Sequence, residues 1–377
     1  MKILTILGAR PQFIKAAALS KEFILTKASK NKLIETIVHT GQHYDYEMSE
    51  QLFEELDIPK PSYNLEIGGG THGENTGRMI EKVEKVIVAE APDFVLVYGD
   101  TDSTLAGALA ASKLKIPILH VESGLRSFNR KQPEEINRVI TDHLSDICFA
   151  PTTQACINLK NEGISPRRII KTDDVMADTS RIFGEKSNNY LNFLKDLNLI
   201  KNKYILATIH RPENTNDLIQ LKNIINCLAF ISKAKNNSLK IDLPIIMPIH
   251  PRTKSIIEKI SELKILCNEL KIIKPVSYLK MVCLEKNAKI IITDSGGIQK
   301  EAFLHNTPCV TVRRETEWVE LIKSGWNTLA NPSSSKELIG SIEKQLNFNI
   351  YQTKENFYGN GYASSTIVKK IQEFKNE

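Results

Sequence analysis

Three acids in the first half of the chain stand where proton-transfer chemistry would need them. Asp100 follows the apolar run Phe94–Val97, Glu122 follows Ile118–Val121, and Glu134 follows Pro133. Acids on the strand-end loops of one sheet would share a cleft. Crowding there raises the pKa of some and suits them to acid/base work. The other reading is helix caps and solvent pairs: Asp100 precedes Thr101–Ser103 and a helix, and Glu134 opens a Pro-Glu-Glu helix start. His210, after an apolar strand and before Arg211, reads as a cleft histidine or as a core one.

A second group suits an anion. Asp294-Ser295-Gly296-Gly297 ends a strand and opens a helix that runs through Glu301. Glycines at a helix start let backbone N–H groups approach a phosphate, and the helix dipole favours negative charge there. The alternative is an Asp/Ser N-cap with a tight turn. Arg313-Arg314 and the upstream His250 and Arg252 favour a diphosphate, because guanidinium forks match phosphate oxygens. Arg10 and Lys15, in and just after the first strand–helix turn, either meet that diphosphate from the other half or are solvated cations.

The elements that must position these residues alternate between strand and helix. Strands are expected at Lys2–Leu7, Leu33–His39, Phe94–Tyr98, Ile116–Val121 and Ile147–Ala150, then at Tyr204–Ile209, Pro244–Pro248, Lys289–Thr293 and Cys309–Val312. Helices are expected at Phe13–Leu25, Thr76–Glu90, Thr104–Leu114, Ile136–Leu144, Leu218–Ser232, Ser255–Leu263, Leu279–Asn287, Gly297–His305 and Ala363–Phe374. Such alternation means parallel sheets covered by helices. The polar stretch Lys171–Asn202 reads as the hinge between two open α/β units. Ligands of such units bind at the carboxyl ends of strands, and two facing units make a cleft.

The 377 residues suit two cores. Hydrophobic residues are 41%, charged residues 25%, and the net charge is +6. The basic residues are dispersed, which argues against a nucleic-acid partner, while a mildly basic chain suits an anionic substrate. Six cysteines show neither a CxxC pair nor metal-ligand spacing. They read as free thiols in a reducing cytosol, with no metal site. Only Lys2 precedes the first strand pattern, so no signal peptide is expected, and no apolar run has the length of a membrane span.

These motifs, taken in order, resemble the non-hydrolysing UDP-N-acetylglucosamine 2-epimerase family over nearly the whole chain. They are Gly8-Ala9-Arg10-Pro11-Gln12-Phe13-Ile14-Lys15, Thr40-Gly41-Gln42-His43, Gly99-Asp100-Thr101, Val121-Glu122-Ser123-Gly124-Leu125-Arg126, Pro133-Glu134-Glu135-Ile136-Asn137-Arg138, Thr208-Ile209-His210-Arg211-Pro212-Glu213-Asn214 and Thr293-Asp294-Ser295-Gly296-Gly297-Ile298-Gln299-Lys300-Glu301. The resemblance implies a GT-B-like α/β architecture of two Rossmann-like domains with the active site in the interdomain cleft. Residues 1–172 with a returning 357–377 form one domain, and residues 173–356 form the UDP-binding domain.

The resemblance also implies chemistry. UDP and the proton on carbon 2 are eliminated to a 2-acetamidoglucal, and re-addition delivers the proton to the other face. Asp100, Glu122 and Glu134 become the acid/base residues, with His210 near the leaving diphosphate. Substrate contacts fall to Arg10, Lys15, Arg138, His250, Ser295, Gly296, Gly297, Glu301 and Arg313. Gln42, His43 and Arg211 match part of a site for an activating second substrate. No metal or nicotinamide cofactor is implied. The expected state is a cytoplasmic homodimer with a UDP-sugar as its small-molecule partner.

The chain departs from the commoner family form at four places. Ala9 and Gln12-Phe13 replace Thr and an acidic residue, Pro212 replaces a second arginine, and Trp318-Val319 replaces Arg-Pro after Thr316-Glu317. Asp173 stands where glycine is usual. This variant is similar to the branch acting on UDP-2,3-diacetamido-2,3-dideoxyglucuronic acid. A GT-B glycosyltransferase, with the same nucleotide site and a separate acceptor, is the rival from another reaction class.

Overall fold

The computed structural model describes residues 1–26, 32–42, 52–233, 241, 243–351 and 355–374. The chain divides into two compact units, Met1–Ile182 with Asn356–Glu377, and Phe183–Glu355.

The first unit is built on a parallel sheet. Its strands are β1 (Lys2–Leu7), β2 (Ile34–His39), β3 (Tyr63–Asn64), β4 (Phe94–Tyr98), β5 (Ile118–Val121), β6 (Ile147–Ala150) and β7 (Ile169–Lys171), in spatial order β3-β2-β1-β4-β5-β6-β7. The second unit has β8 (Ile205–Thr208), β9 (Ile245–Pro248), β10 (Lys271–Ile273), β11 (Ile290–Thr293), β12 (Cys309–Thr311) and β13 (Asn327–Leu329), in order β10-β9-β8-β11-β12-β13. All pairs are parallel, with Thr5 opposite Leu96 and Thr208 opposite Thr293. Each sheet reverses its winding once, between β1 and β4 and between β8 and β11. These are the switch points where two loops diverge and leave room for a ligand. The two helix-covered parallel sheets are the open α/β units expected from the alternation, and the Rossmann-like pair that the resemblance implies.

Central strands are apolar on both faces because helices cover both sides. β4, β5, β8 and β11 are buried throughout. Removing each Ile, Leu or Val side chain from water contributes about 1.5–3 kcal/mol. The helix Asp102–Lys113, rich in alanine, lies close on the first sheet. A Cβ on Gly107 would stand 3.0 Å from Val97 Cγ1 and 3.1 Å from Ile6 Cγ1, so the approach needs glycine.

The expected polar hinge at Lys171–Asn202 is largely helical: Val175–Lys186, a 3-10 turn at Ser187–Tyr190, and Leu191–Asp196. Its polar residues are spent inside the fold. Asp174 Oδ1 accepts from the Met176 N–H at 2.8 Å, and Asp178 accepts from the Ala363 and Ser364 N–H groups at 2.9 and 2.8 Å. Asp178 therefore caps the C-terminal helix Ala363–Phe374, which packs in the first unit with Phe374 5.9 Å from Phe94. Asp173 has φ 64°, the left-handed conformation in which a glycine costs nothing.

The cysteines are free thiols, four of them buried. Burial pushes Cys148 and Cys309 up to about 12, which makes them poor nucleophiles. Among the described residues, no helix is long and apolar enough to cross a membrane, and no cluster of His, Cys, Asp and Glu could hold a metal.

Candidate active site

The β1 turn is closed by Gln12, in the first turn of the helix Arg10–Leu25. Its Oε1 accepts from the Gly8 and Ala9 N–H groups at 2.8 and 3.1 Å. Its Nε2 donates to the Tyr98 carbonyl and to Thr104 Oγ1, both at 2.9 Å. This amide latches the loops after β1 and β4 across the switch point. A carboxylate could not donate both bonds, so the departure at Gln12 has a structural reason. Arg10, half-buried, begins the helix beside it.

Lys15, on the same helix, reaches Glu122. Lys15 Nζ lies 2.5 Å from Glu122 Oε2, and both side chains are largely buried. Glu122 follows β5 with φ 70°, a conformation that non-glycine residues rarely adopt and that packing must hold. Gly99 shares this spot. At φ 65°, a Cβ there would be 3.5 Å from Lys15 Nζ and 3.9 Å from Glu122 Oε1.

Asp100 is free to face Arg138 because Thr101 caps the next helix, its Oγ1 accepting from the Thr104 N–H at 3.3 Å. Arg138 Nη2 lies 2.6 Å from Asp100 Oδ2 and Nη1 2.9 Å from Glu135 Oε2. Burial disfavours the guanidinium charge, but Asp100 and Glu135 outweigh it and raise the Arg138 pKa. Glu135 is also held by the Ser127 and Phe128 N–H groups, each at 2.9 Å. Against the burial that opposes it, this bonding lowers its pKa. Asn137 Nδ2 donates to the Asp100 carbonyl at 2.9 Å and to Asp102 Oδ1 at 3.1 Å, and His72 Nδ1 meets Asp102 Oδ2 at 2.7 Å.

Glu134 is exposed in the first turn of the helix Pro133–Leu144 and makes no ion pair among the described residues. Gln42 Oε1 accepts from the Ser103 N–H and hydroxyl at 3.2 and 2.6 Å. His43 lies outside the described residues.

In the second unit the switch point gathers Asp294 and His210. Asp294 does not cap the helix Gly296–Leu304. Ser295 does, its Oγ accepting from the Ile298 N–H at 3.5 Å. Asp294, fully buried, instead accepts from the N–H groups of His210 at 3.0 Å and Arg211 at 2.9 Å, and from Asn214 Nδ2 at 3.1 Å. His210 Nδ1 lies 3.2 Å from Asp294 Oδ1. Burial alone would raise the Asp294 pKa, but His210 and the N–H donors outweigh it and lower it. The His250 ring lies 6.1 Å from that of His210. Burial, His210 and Arg252 all lower the His250 pKa. Its ring accepts from the Arg252 N–H at 3.2 Å.

Around the glycine turn, Glu317 pairs with Arg313 at 3.1 Å and lies 2.6 Å from where a Gly296 Cβ would stand. Trp318 Nε1 donates to the Gly296 carbonyl at 3.0 Å, and its ring lies 4.2 Å from the ammonium of buried Lys300. The Trp318 departure thus braces the turn and covers a cation. Gly297 faces open space. Glu301 accepts from the Tyr278 hydroxyl at 2.8 Å. Arg211 lies 3.7 Å from Glu213, at the start of the short helix Pro212–Thr215.

Each unit thus collects its expected residues at the carboxyl end of its own sheet. In the first unit, Glu122 joins Lys15 and Asp100 joins Arg138, while Glu134 stands apart. Sequence reasoning missed the residues that hold them: Glu135, Asn137, Asn214, Tyr278 and Glu317. Glu135, Asn137 and Asn214 lie inside quoted motifs, so a polar residue that turns inward was the available signal.

Comparisons with known proteins agree on one family. The UDP-N-acetylglucosamine 2-epimerase family profile matches residues 26–372. A Methanococcus maripaludis protein named as a UDP-N-acetylglucosamine 2-epimerase homolog is 51% identical over 99% of both chains. The UDP-2,3-diacetamido-2,3-dideoxy-D-glucuronate 2-epimerase of Pseudomonas aeruginosa is 48% identical over 98% of this chain and 99% of that one. The crystal structure of Methanocaldococcus jannaschii UDP-GlcNAc 2-epimerase in complex with UDP-GlcNAc and UDP is similar at a TM-score of 0.88 and 42% identity, over 99% of this chain and 100% of that one.

Proposed function

Because the chain belongs to the UDP-N-acetylglucosamine 2-epimerase family, we propose that it interconverts UDP-N-acetylglucosamine and UDP-N-acetylmannosamine without hydrolysis. A carboxylate takes the proton from carbon 2. The C1–O bond breaks with its electron pair going to UDP, and a C1=C2 double bond forms. The reverse addition restores the C1–O bond and protonates carbon 2 from the other face. Atoms balance with no oxidant, metal or nicotinamide.

The observation that carries this reading is a pair of acids at the ends of adjacent strands, Asp100 after β4 and Glu122 after β5, each beside its own cation. Inversion needs proton removal and delivery on opposite faces, which one carboxylate serves poorly. Asp100, Glu122 and Glu134 are assigned the acid/base roles, and Arg138 orients Asp100. His210, oriented by Asp294, faces the leaving diphosphate. Arg10, Lys15, His250, Ser295, Gly296, Gly297 and Arg313 hold the diphosphate, whose charge the helix start and guanidiniums stabilise as it departs. Glu301 accepts from the ribose hydroxyls. Gln42, His43 and Arg211 would contact an activating second UDP-sugar.

Proton NMR of UDP-GlcNAc with the enzyme in deuterium oxide tests this. The expected result is the manno epimer with deuterium at carbon 2 and no build-up of free sugar. Retention of the carbon 2 proton overturns it and is what a glycosyltransferase would give. The 48% identity to the Pseudomonas aeruginosa protein favours a second reading, with UDP-2,3-diacetamido-2,3-dideoxyglucuronate as substrate. The same assay on that sugar separates the two. The proposed setting is a cytoplasmic homodimer, with mass in solution as the check.

A further inference from the structure

His120 is fully buried within β5, two residues before Glu122, and the reaction above gives it no task. Its Nε2 lies 2.8 Å from the Gly99 carbonyl oxygen and its Nδ1 2.7 Å from Asp142 Oδ1. A carbonyl oxygen only accepts, so Nε2 carries a hydrogen.

Asp142 holds the other nitrogen. It is fully buried on the helix Pro133–Leu144, accepts from the Gly124 N–H at 3.0 Å, and pairs with Arg126 Nη2 at 2.7 Å. Burial alone would raise its pKa, but His120 and Arg126 outweigh it and lower it. Its Oδ1 takes the Nδ1 edge of the ring, so both ring nitrogens are held by buried partners. Arg126 in turn pairs with Glu162 at 2.6 Å. Arg126 thus faces both carboxylates, so neither is buried without a cation. Against this set also lie Arg168, whose Nη2 donates to the Asp142 carbonyl at 3.4 Å, His143, 3.9 Å from Glu162, and the Cys148 thiol, 3.6 Å from the Asp142 carbonyl and pushed up by burial.

We propose that His120 is a positioning residue for the acid/base loops. Through Nε2 it fixes the Gly99 carbonyl and polarises the peptide that presents Asp100. Through Asp142 it is tied to the Gly124 N–H, just beyond Glu122. Asp142 lies roughly two turns along the helix that carries Glu134 and Arg138. One buried pair thus ties the loops that present Asp100 and Glu122 to the helix on which Glu134 stands. The positioning role rests on the epimerase reading; the two ring hydrogen bonds do not.

Nitrogen-15 NMR of the labelled, unliganded protein reads the ring directly, with the His120 signals assigned by their loss in His120→Gln or, if that variant does not fold, in His120→Asn. The Nε2 hydrogen should be visible and protected from exchange with solvent. A ring with its hydrogen on Nδ1 alone overturns the proposal. Asp142→Asn, which removes the carboxylate that braces Nδ1, should weaken that protection. It should also lower kcat about 10- to 100-fold with UDP affinity unchanged. Wild-type kcat in Asp142→Asn overturns the positioning role. If the wild-type protein epimerises no UDP-sugar, the epimerase reading falls, and the ring measurement still decides whether Nε2 holds the Gly99 carbonyl.

Discussion

The Glu122 carboxylate is held 2.5 Å from the Lys15 ammonium while its own backbone sits at φ 70°. A residue in that conformation persists only where the surroundings over-determine it, and such outliers cluster at active sites. Glu122 is therefore aimed by the backbone and tethered by a cation, two constraints that a surface ion pair lacks. Asp100 is restrained differently, by a guanidinium that Glu135 holds from behind.

Amide replacement of the acids should remove basicity and keep shape. Asp100→Asn, Glu122→Gln and Glu134→Gln are each expected to stay folded and to bind UDP. Each should lose on the order of 10²-fold or more in turnover. Exchange of the carbon 2 proton with solvent, followed by NMR, should fall in step. Near wild-type rates in all three would falsify the assignment.

Gln12→Glu should destabilise the first unit by about 1–3 kcal/mol, because two buried bonds from Nε2 lose their donor. Urea unfolding is the measurement, and a midpoint equal to wild type would count against the latch described for Gln12.

Asp294 should make stability depend on pH in acid. Its folded pKa lies below the ordinary 3.8, so its contribution is complete above 3.8 and is lost as pH falls through the lower folded value. Asp294→Asn should therefore lie well below wild type at pH 6 and approach it as pH drops under 3.8. Denaturant titrations across pH 3–6 would show a constant gap if the argument is wrong.

Glu301→Ala should weaken UDP binding by about 1.5–3 kcal/mol, the value of hydrogen bonds to a charged group. Tyr278→Phe, which frees the carboxylate that Tyr278 now holds, should cost less. Calorimetry with UDP decides it, and unchanged affinity in Glu301→Ala removes the ribose assignment.

The sequence by itself determined the interior of both sheets. Nine strands were readable, most of them because helices cover both their faces and leave a short, largely apolar run, while β2 interrupts its run with Glu35 and Thr36. The four edge strands, β3, β7, β10 and β13, were not readable. They are two or three residues long and half exposed, so they leave no such run. The segment around Asp174 and Asp178 read as a polar hinge, and only the fold revealed that those acids are spent on backbone N–H groups, some nearly two hundred residues away. The site follows the same division. That Gly99-Asp100, Glu122, His210 and Asp294 follow strands is a local fact, visible in the pattern of apolar runs. That Glu122 meets Lys15, that Asp294 turns back to His210 instead of capping its helix, and that His120 lies between Gly99 and Asp142 depends on which strands are neighbours. Strand order is set by the packing of the whole sheet, and no local periodicity encodes it.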